Sequence, residues 1–151
     1  MTSVEECIYE SNEEFQLLLK EFSSSEELED KVRSLCRLSG YLRFLFFEIL
    51  EEKVQNAVGG DLRTLICGIP VVILKGIELC SGTRGEVVCG VVADALDLAL
   101  SVMRKLGVDE SLIENANYMR AKFNEGATID EDLLGMIKLF SEIFIKLIPM
   151  T

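Results

Sequence analysis

The residues with the clearest chemical potential are carboxylates spaced three apart on helical stretches. Glu48 and Glu51 share one stretch, and Asp94 and Asp97 share another. All-helical nucleotide pyrophosphohydrolases hold magnesium with such pairs on facing helices, and carboxylate oxygens suit that hard cation. The chemistry requires all four groups to point into the bundle, yet a helical wheel turns them outward. At about 100° per residue, with Leu42 at zero, Glu51 falls about 180° away and Glu48 about 240°. Measured from Val88, Asp94 and Asp97 stand at about 240° and 180°. A solvated face is therefore the expectation. A magnesium-dependent nucleotide pyrophosphohydrolase using these four residues is one alternative, and a free-standing helical scaffold is another.

Other routes to catalysis lack a component. The chain has no histidine, so the usual zinc sets and histidine-based proton transfer are excluded. Cys7, Cys36, Cys67, Cys80 and Cys89 show no CxxC spacing and have no neighbouring base to activate a thiolate. Each sits in an apolar stretch and is expected to be a buried thiol. Gly82-Thr83-Arg84-Gly85 lacks the lysine and spacing of a phosphate-binding loop. No catalytic residue, metal ligand or cofactor is expected.

Two sets of residues remain for binding. Arg33, Arg37 and Arg43 lie along one long helical stretch, with Arg63, Lys75, Arg104, Arg120 and Lys122 further on. These are the candidate contacts to a nucleic-acid backbone, and they would act through salt-dependent phosphate attraction. Phe44 and Phe47 fall outside the apolar stripe of their own helix, which marks them as candidate partner contacts.

Charge distribution bears on both. The net charge is −11, but residues 1–30 carry ten acids and one base, while residues 31–124 carry eleven acids and twelve bases. The acidity therefore belongs mainly to the N-terminal segment, and the body is nearly neutral. No basic stretch followed by an apolar one opens the chain. The longest uncharged apolar run, Thr64 to Leu74, is well short of the roughly 20 residues that span a bilayer. A cytoplasmic protein with no membrane association is expected.

The elements that must position these residues read as helices throughout. Phe15, Leu18, Leu19 and Phe22 form a stripe after a capping-box spacing at Ser11 and Glu14. Leu28, Val32, Leu35, Leu38, Leu42, Leu45, Phe46 and Ile49 hold one face of a helix running from about Glu26 to Ala57. Gly59-Gly60 ends it, and Asp61 is the expected cap of the next. Leu62 to Cys80 is apolar on nearly every side, which predicts a buried helix. Pro70 either kinks it or divides it, because proline cannot donate to the Ile66 carbonyl. A pair of strands through the β-branched IPVVIL run is the competing reading.

A helix to Leu106 follows, carrying Val88, Val91, Val92, Ala95, Ala99, Val102 and Met103, with Gly107 beyond its end. A more polar helix then runs from Asp109 to about Asn124. The last begins at a Thr128–Glu131 capping box and buries Leu133, Leu134, Ile137, Phe140, Ile143, Phe144 and Leu147. The prediction is an all-α, single-domain bundle of six to seven helices over residues 1–151, with the acidic segment 1–24 packed on it.

Within this pattern, Pro70-Val71-Val72-Ile73-Leu74-Lys75-Gly76-Ile77 resembles a signature of the small all-helical subunit of type III-B (Cmr) CRISPR effector complexes. In that family a proline precedes an aliphatic run, polar residues and a glycine. Asp130 to Ile148 is similar in placement and pattern to the family's closing helix. A single Lys75 stands where the family has a polar pair. Leu139 and Glu142 stand near its tryptophan and arginine. The resemblance implies a non-catalytic structural subunit of an RNA-guided antiviral complex. It implies packing against copies of itself and against backbone subunits, and RNA contact without sequence reading.

Overall fold

A computed structural model describes residues 11–48, 60–79, 85–124 and 130–147. These residues form α1 (Glu13–Ser24), α2 (Leu28–Phe46), α3 (Gly60–Leu79), α4 (Gly85–Leu106), α5 (Glu110–Asn124) and α6 (Glu131–Phe144), closed by a 3-10 turn (Ile145–Leu147). No strand occurs among the described residues. The chain is an all-helical bundle, and the strand reading of IPVVIL is overturned.

The arrangement centres on α3, which packs against α2, α4, α6 and the closing 3-10 turn. Every residue from Thr64 to Ile73 is buried, as expected of a helix apolar all round. Pro70 lies inside this helix, which continues through it as one element. Proline costs a helix interior about 3 kcal/mol relative to alanine. Burial of Leu65, Ile66, Ile69, Val72 and Ile73 on surrounding helices is what offsets that cost.

Two glycines set how closely the neighbours approach. A Cβ built on Gly68 would lie 2.5 Å from Leu42 Cδ2 and 2.9 Å from Phe15 Cε1. One built on Gly76 would run into Val92 Cγ2. Gly68 thus admits α1 and α2, and Gly76 admits α4. The glycine within the Pro70–Ile77 segment therefore has a packing role.

The stripes of α2 and α4 are buried largely as their spacing predicts. Val32, Leu35, Leu38, Leu42, Leu45 and Phe46 face inward, as do all seven apolar positions read on α4. On α6 the stripe is narrower than expected. Leu133, Ile137, Phe140 and Phe144 are buried, but Ile143 is on the exposed side. Cys36 is also a correction: it is exposed, because it lies on the outer side of α2, while Cys67 is buried and Cys89 half-buried. All three are thiols. Cys7 and Cys80 lie outside the described residues.

Several helix ends differ from the predicted ones. The N-cap of α1 is Asn12 rather than Ser11. Its Oδ1 accepts from Phe15 N at 2.9 Å while its Nδ2 donates to the Tyr41 hydroxyl at 2.8 Å. An amide can do both at once, and a serine at this place could not reach both. Asp130, not Thr128, caps α6 and accepts from Leu133 N at 2.8 Å; a carboxylate there also meets the positive end of the helix. Asp61 falls within the first turn of α3 rather than at its cap. The α-helical part of α2 runs to Phe46 and continues in π-type geometry over residues 47 and 48. Ile49–Ala57 and the Gly82–Arg84 loop lie outside the described residues. Gly107 does end α4, at a φ of +70° that favours glycine.

Asn12 also joins three helices. Its backbone N–H donates to the Oγ1 of Thr64, a fully buried residue of α3, at 2.8 Å, while its side chain reaches Tyr41 on α2. Thr64→Val keeps shape and helix propensity but removes the acceptor. A loss of about 1–3 kcal/mol is expected from the stranded donor. Urea melting measures it, and an unchanged midpoint would show that this bond is not needed.

Candidate functional site

The outward residues of α2 form the most distinctive surface. Phe44 and Phe47 are 55% and 56% exposed, large values for phenylalanine on a regular element. Covering either ring would remove on the order of 100 Å² from water. At the usual rate that is worth about 2–3 kcal/mol per ring. Tyr41 stacks beside Phe44 at 6.3 Å between centroids, and Phe47 meets the buried Phe46 edge-on at 5.8 Å. The rings therefore present an ordered aromatic face.

The bases are distributed differently. Arg33 pairs with Asp30 at 3.5 Å and Arg37 with Glu21 at 3.4 Å. Arg43 reaches Asp94 across the α2–α4 contact at 3.7 Å, and Arg120 of α5 pairs with Asp97 of α4. Lys75 approaches Glu78 at 3.9 Å and stands over the Phe22 ring, which Lys31 also covers. Lys122 lies over the Tyr118 ring at 5.4 Å. Arg63 is half-buried in α3, and Arg104 is exposed in the last turn of α4, where a cation suits the helix dipole. The eight bases thus sit on four helices, mostly beside acids or rings, rather than along one stripe. Each exposed ion pair contributes about 0–1 kcal/mol.

The carboxylates meet the same network. Asp94 and Asp97 face outward against Arg43 and Arg120, and Glu48 is exposed. Glu51 lies outside the described residues. Among the described residues, no three acidic or thiol groups gather to hold a metal ion.

A polar basin of about 270 Å³ opens between the end of α1 and the start of α2. Glu21, Ser24, Ser25, Asp30, Arg33, Ser34 and Arg37 line it. Its two acids balance its two arginines, and the carbonyl end of α1 adds negative potential, so it does not favour an anion. Among the described residues, no helix is long and apolar enough to cross a membrane.

The sequence pattern missed three residues at or beside the exposed surface, of which Tyr41 is half-buried. Tyr41 was hidden by its place next to the core residue Leu42. Gly40 gave no signal on its own, yet it is exposed in mid-helix with open space around it. Leu139 of α6, 58% exposed, lies beside the exposed Ile143 and forms a smaller apolar patch.

No known protein family, curated protein or solved structure matches this chain.

Proposed function

We propose that this chain is a non-catalytic interaction subunit of an RNA-guided antiviral complex of the type III-B CRISPR kind, acting in the cytoplasm. It would pack against copies of itself and against backbone subunits and contact RNA through its phosphates. The observation that carries the interaction role is the exposed aromatic pair Phe44 and Phe47, two phenylalanine rings left more than half in water on the outer side of α2. The assignment to that class of complex rests on the Pro70–Ile77 and Asp130–Ile148 resemblances. RNA contact would fall to the exposed bases, Arg104 in the last turn of α4 among them.

The test is recovery of the tagged chain from its own cells at low salt, followed by sequencing of co-purifying RNA. Enrichment of repeat-derived guide RNA over an untagged control is expected, and it should fall steeply as salt rises. Absence of enrichment would contradict the RNA-guided assignment. Magnesium-dependent nucleotide hydrolysis abolished by Glu51→Gln would instead establish the enzyme reading.

A further inference from the structure

The basin between α1 and α2 holds one side chain that the fold does not explain. Ser34 lines it from α2, yet only 6% of that residue is exposed. Among the described residues its hydroxyl has no hydrogen-bond partner. A buried hydroxyl left alone is costly, and alanine would suit both the helix and the burial better. The partner of Ser34 therefore has to come from the basin.

The groups around Ser34 fall into two halves. Asp30, Arg33, Ser34 and Arg37 stand at i, i+3, i+4 and i+7, which is one face of α2. Ser34 thus lies between two guanidinium-bearing residues, and the three offer donors to one anionic group. The end of α1 supplies the other half. Ser24 and Ser25 both donate to the Glu21 carbonyl, at 3.3 and 2.7 Å, which leaves their oxygen lone pairs to accept. With the carboxylates of Glu21 and Asp30 they offer acceptors to one cationic group.

The ion pairs that join the halves are loose. Arg37 and Glu21 are 3.4 Å apart and Arg33 and Asp30 3.5 Å, against about 2.7–2.9 Å for a closed charge-assisted contact. A guanidinium has five donors and a carboxylate about four acceptor sites, so most of that capacity remains available.

We propose that this basin binds the zwitterion of a small α-amino acid. Its carboxylate lies on Arg33, Ser34 and Arg37, and its ammonium on Glu21 and Asp30 beside the two serine oxygens. The inference goes beyond the interaction role above and does not depend on it. A lone anion would meet two acids and the carbonyl end of α1, and a lone cation would meet two arginines. A ligand carrying both charges uses both halves. No apolar side chain lines the basin, so the amino acid it takes has a short or polar side chain. The charged groups remain partly in water, which places the dissociation constant in the millimolar range.

Glycine titrated into the isotope-labelled full chain tests this by nuclear magnetic resonance. The backbone amide signals of Ser25, Ser34 and Arg37 should shift and saturate. Glycinamide lacks the anion and N-acetylglycine lacks the cation, and each should bind about tenfold more weakly, the loss of one charged contact. Binding of N-acetylglycine as tight as that of glycine would make this an anion site, and the same result with glycinamide a cation site. Either outcome, or shifts that never saturate, would overturn the proposal. Ser34→Ala should weaken glycine binding about tenfold while melting at or slightly above the native temperature, because alanine favours helix and strands no hydroxyl. Unchanged glycine affinity in that variant would also overturn it.

Discussion

Phe15→Ala is expected to destabilise the fold by about 3–5 kcal/mol, the cost of emptying a buried aromatic site. Phe15 is fully buried, and its ring edge lies where a Cβ on Gly68 would stand. The glycine and the ring thus occupy one space between α1 and α3. Gly68→Ala alone should cost about 1–3 kcal/mol, because the added methyl also meets Leu42, itself buried. The double variant should then lose less than the sum of the two, since the methyl enters the space that the ring vacates. Chemical denaturation of the four proteins gives the coupling. Strict additivity would mean that Gly68 and Phe15 do not share that space.

Gly76→Ala carries the second large effect, and its sign is decided by two opposed terms. Alanine improves helix propensity by about 1 kcal/mol. Against this, the new methyl collides with Cγ2 of Val92, which is fully buried on α4. A β-branched side chain in a helix has essentially one rotamer, so Val92 cannot swing aside, and α3 and α4 must separate. A net loss of about 1–2 kcal/mol is expected. Val92→Ala should recover part of it in the double variant. A gain in stability for Gly76→Ala alone would show that the helices are less closely packed at this point.

These glycines illustrate what the sequence could and could not disclose. The positions of α2 and α4 were legible because their leucines, valines and alanines recur at three- and four-residue steps. The depth of α3 was legible because Thr64 to Ile73 offers water almost nothing polar. Nothing local marks Gly68 or Gly76 as contact points, since their partners come from other helices. The caps were misplaced for a similar reason. Ser11 and Thr128 have the right spacing, but Asn12 is held at its post by Thr64 and Tyr41, residues brought near by folding.

At the candidate surface the outward turn of Phe44 and Phe47 followed from their place off the stripe. The wheel likewise anticipated that Asp94 would be exposed. It could not anticipate that Arg43 and Arg120 would lie beside Asp94 and Asp97, because those pairs join different helices. The same contacts place candidate RNA-binding bases and candidate metal-binding acids in one surface network.

The central claim is that the aromatic face of α2 serves association and not folding. Replacing both exposed rings, Phe44→Glu with Phe47→Glu, tests it in one protein. The variant should keep its helical circular dichroism and melt within a few degrees of the native chain, while guide RNA recovered with it from cells falls at least tenfold. Recovery equal to that of the native chain, or outright unfolding, would contradict the claim.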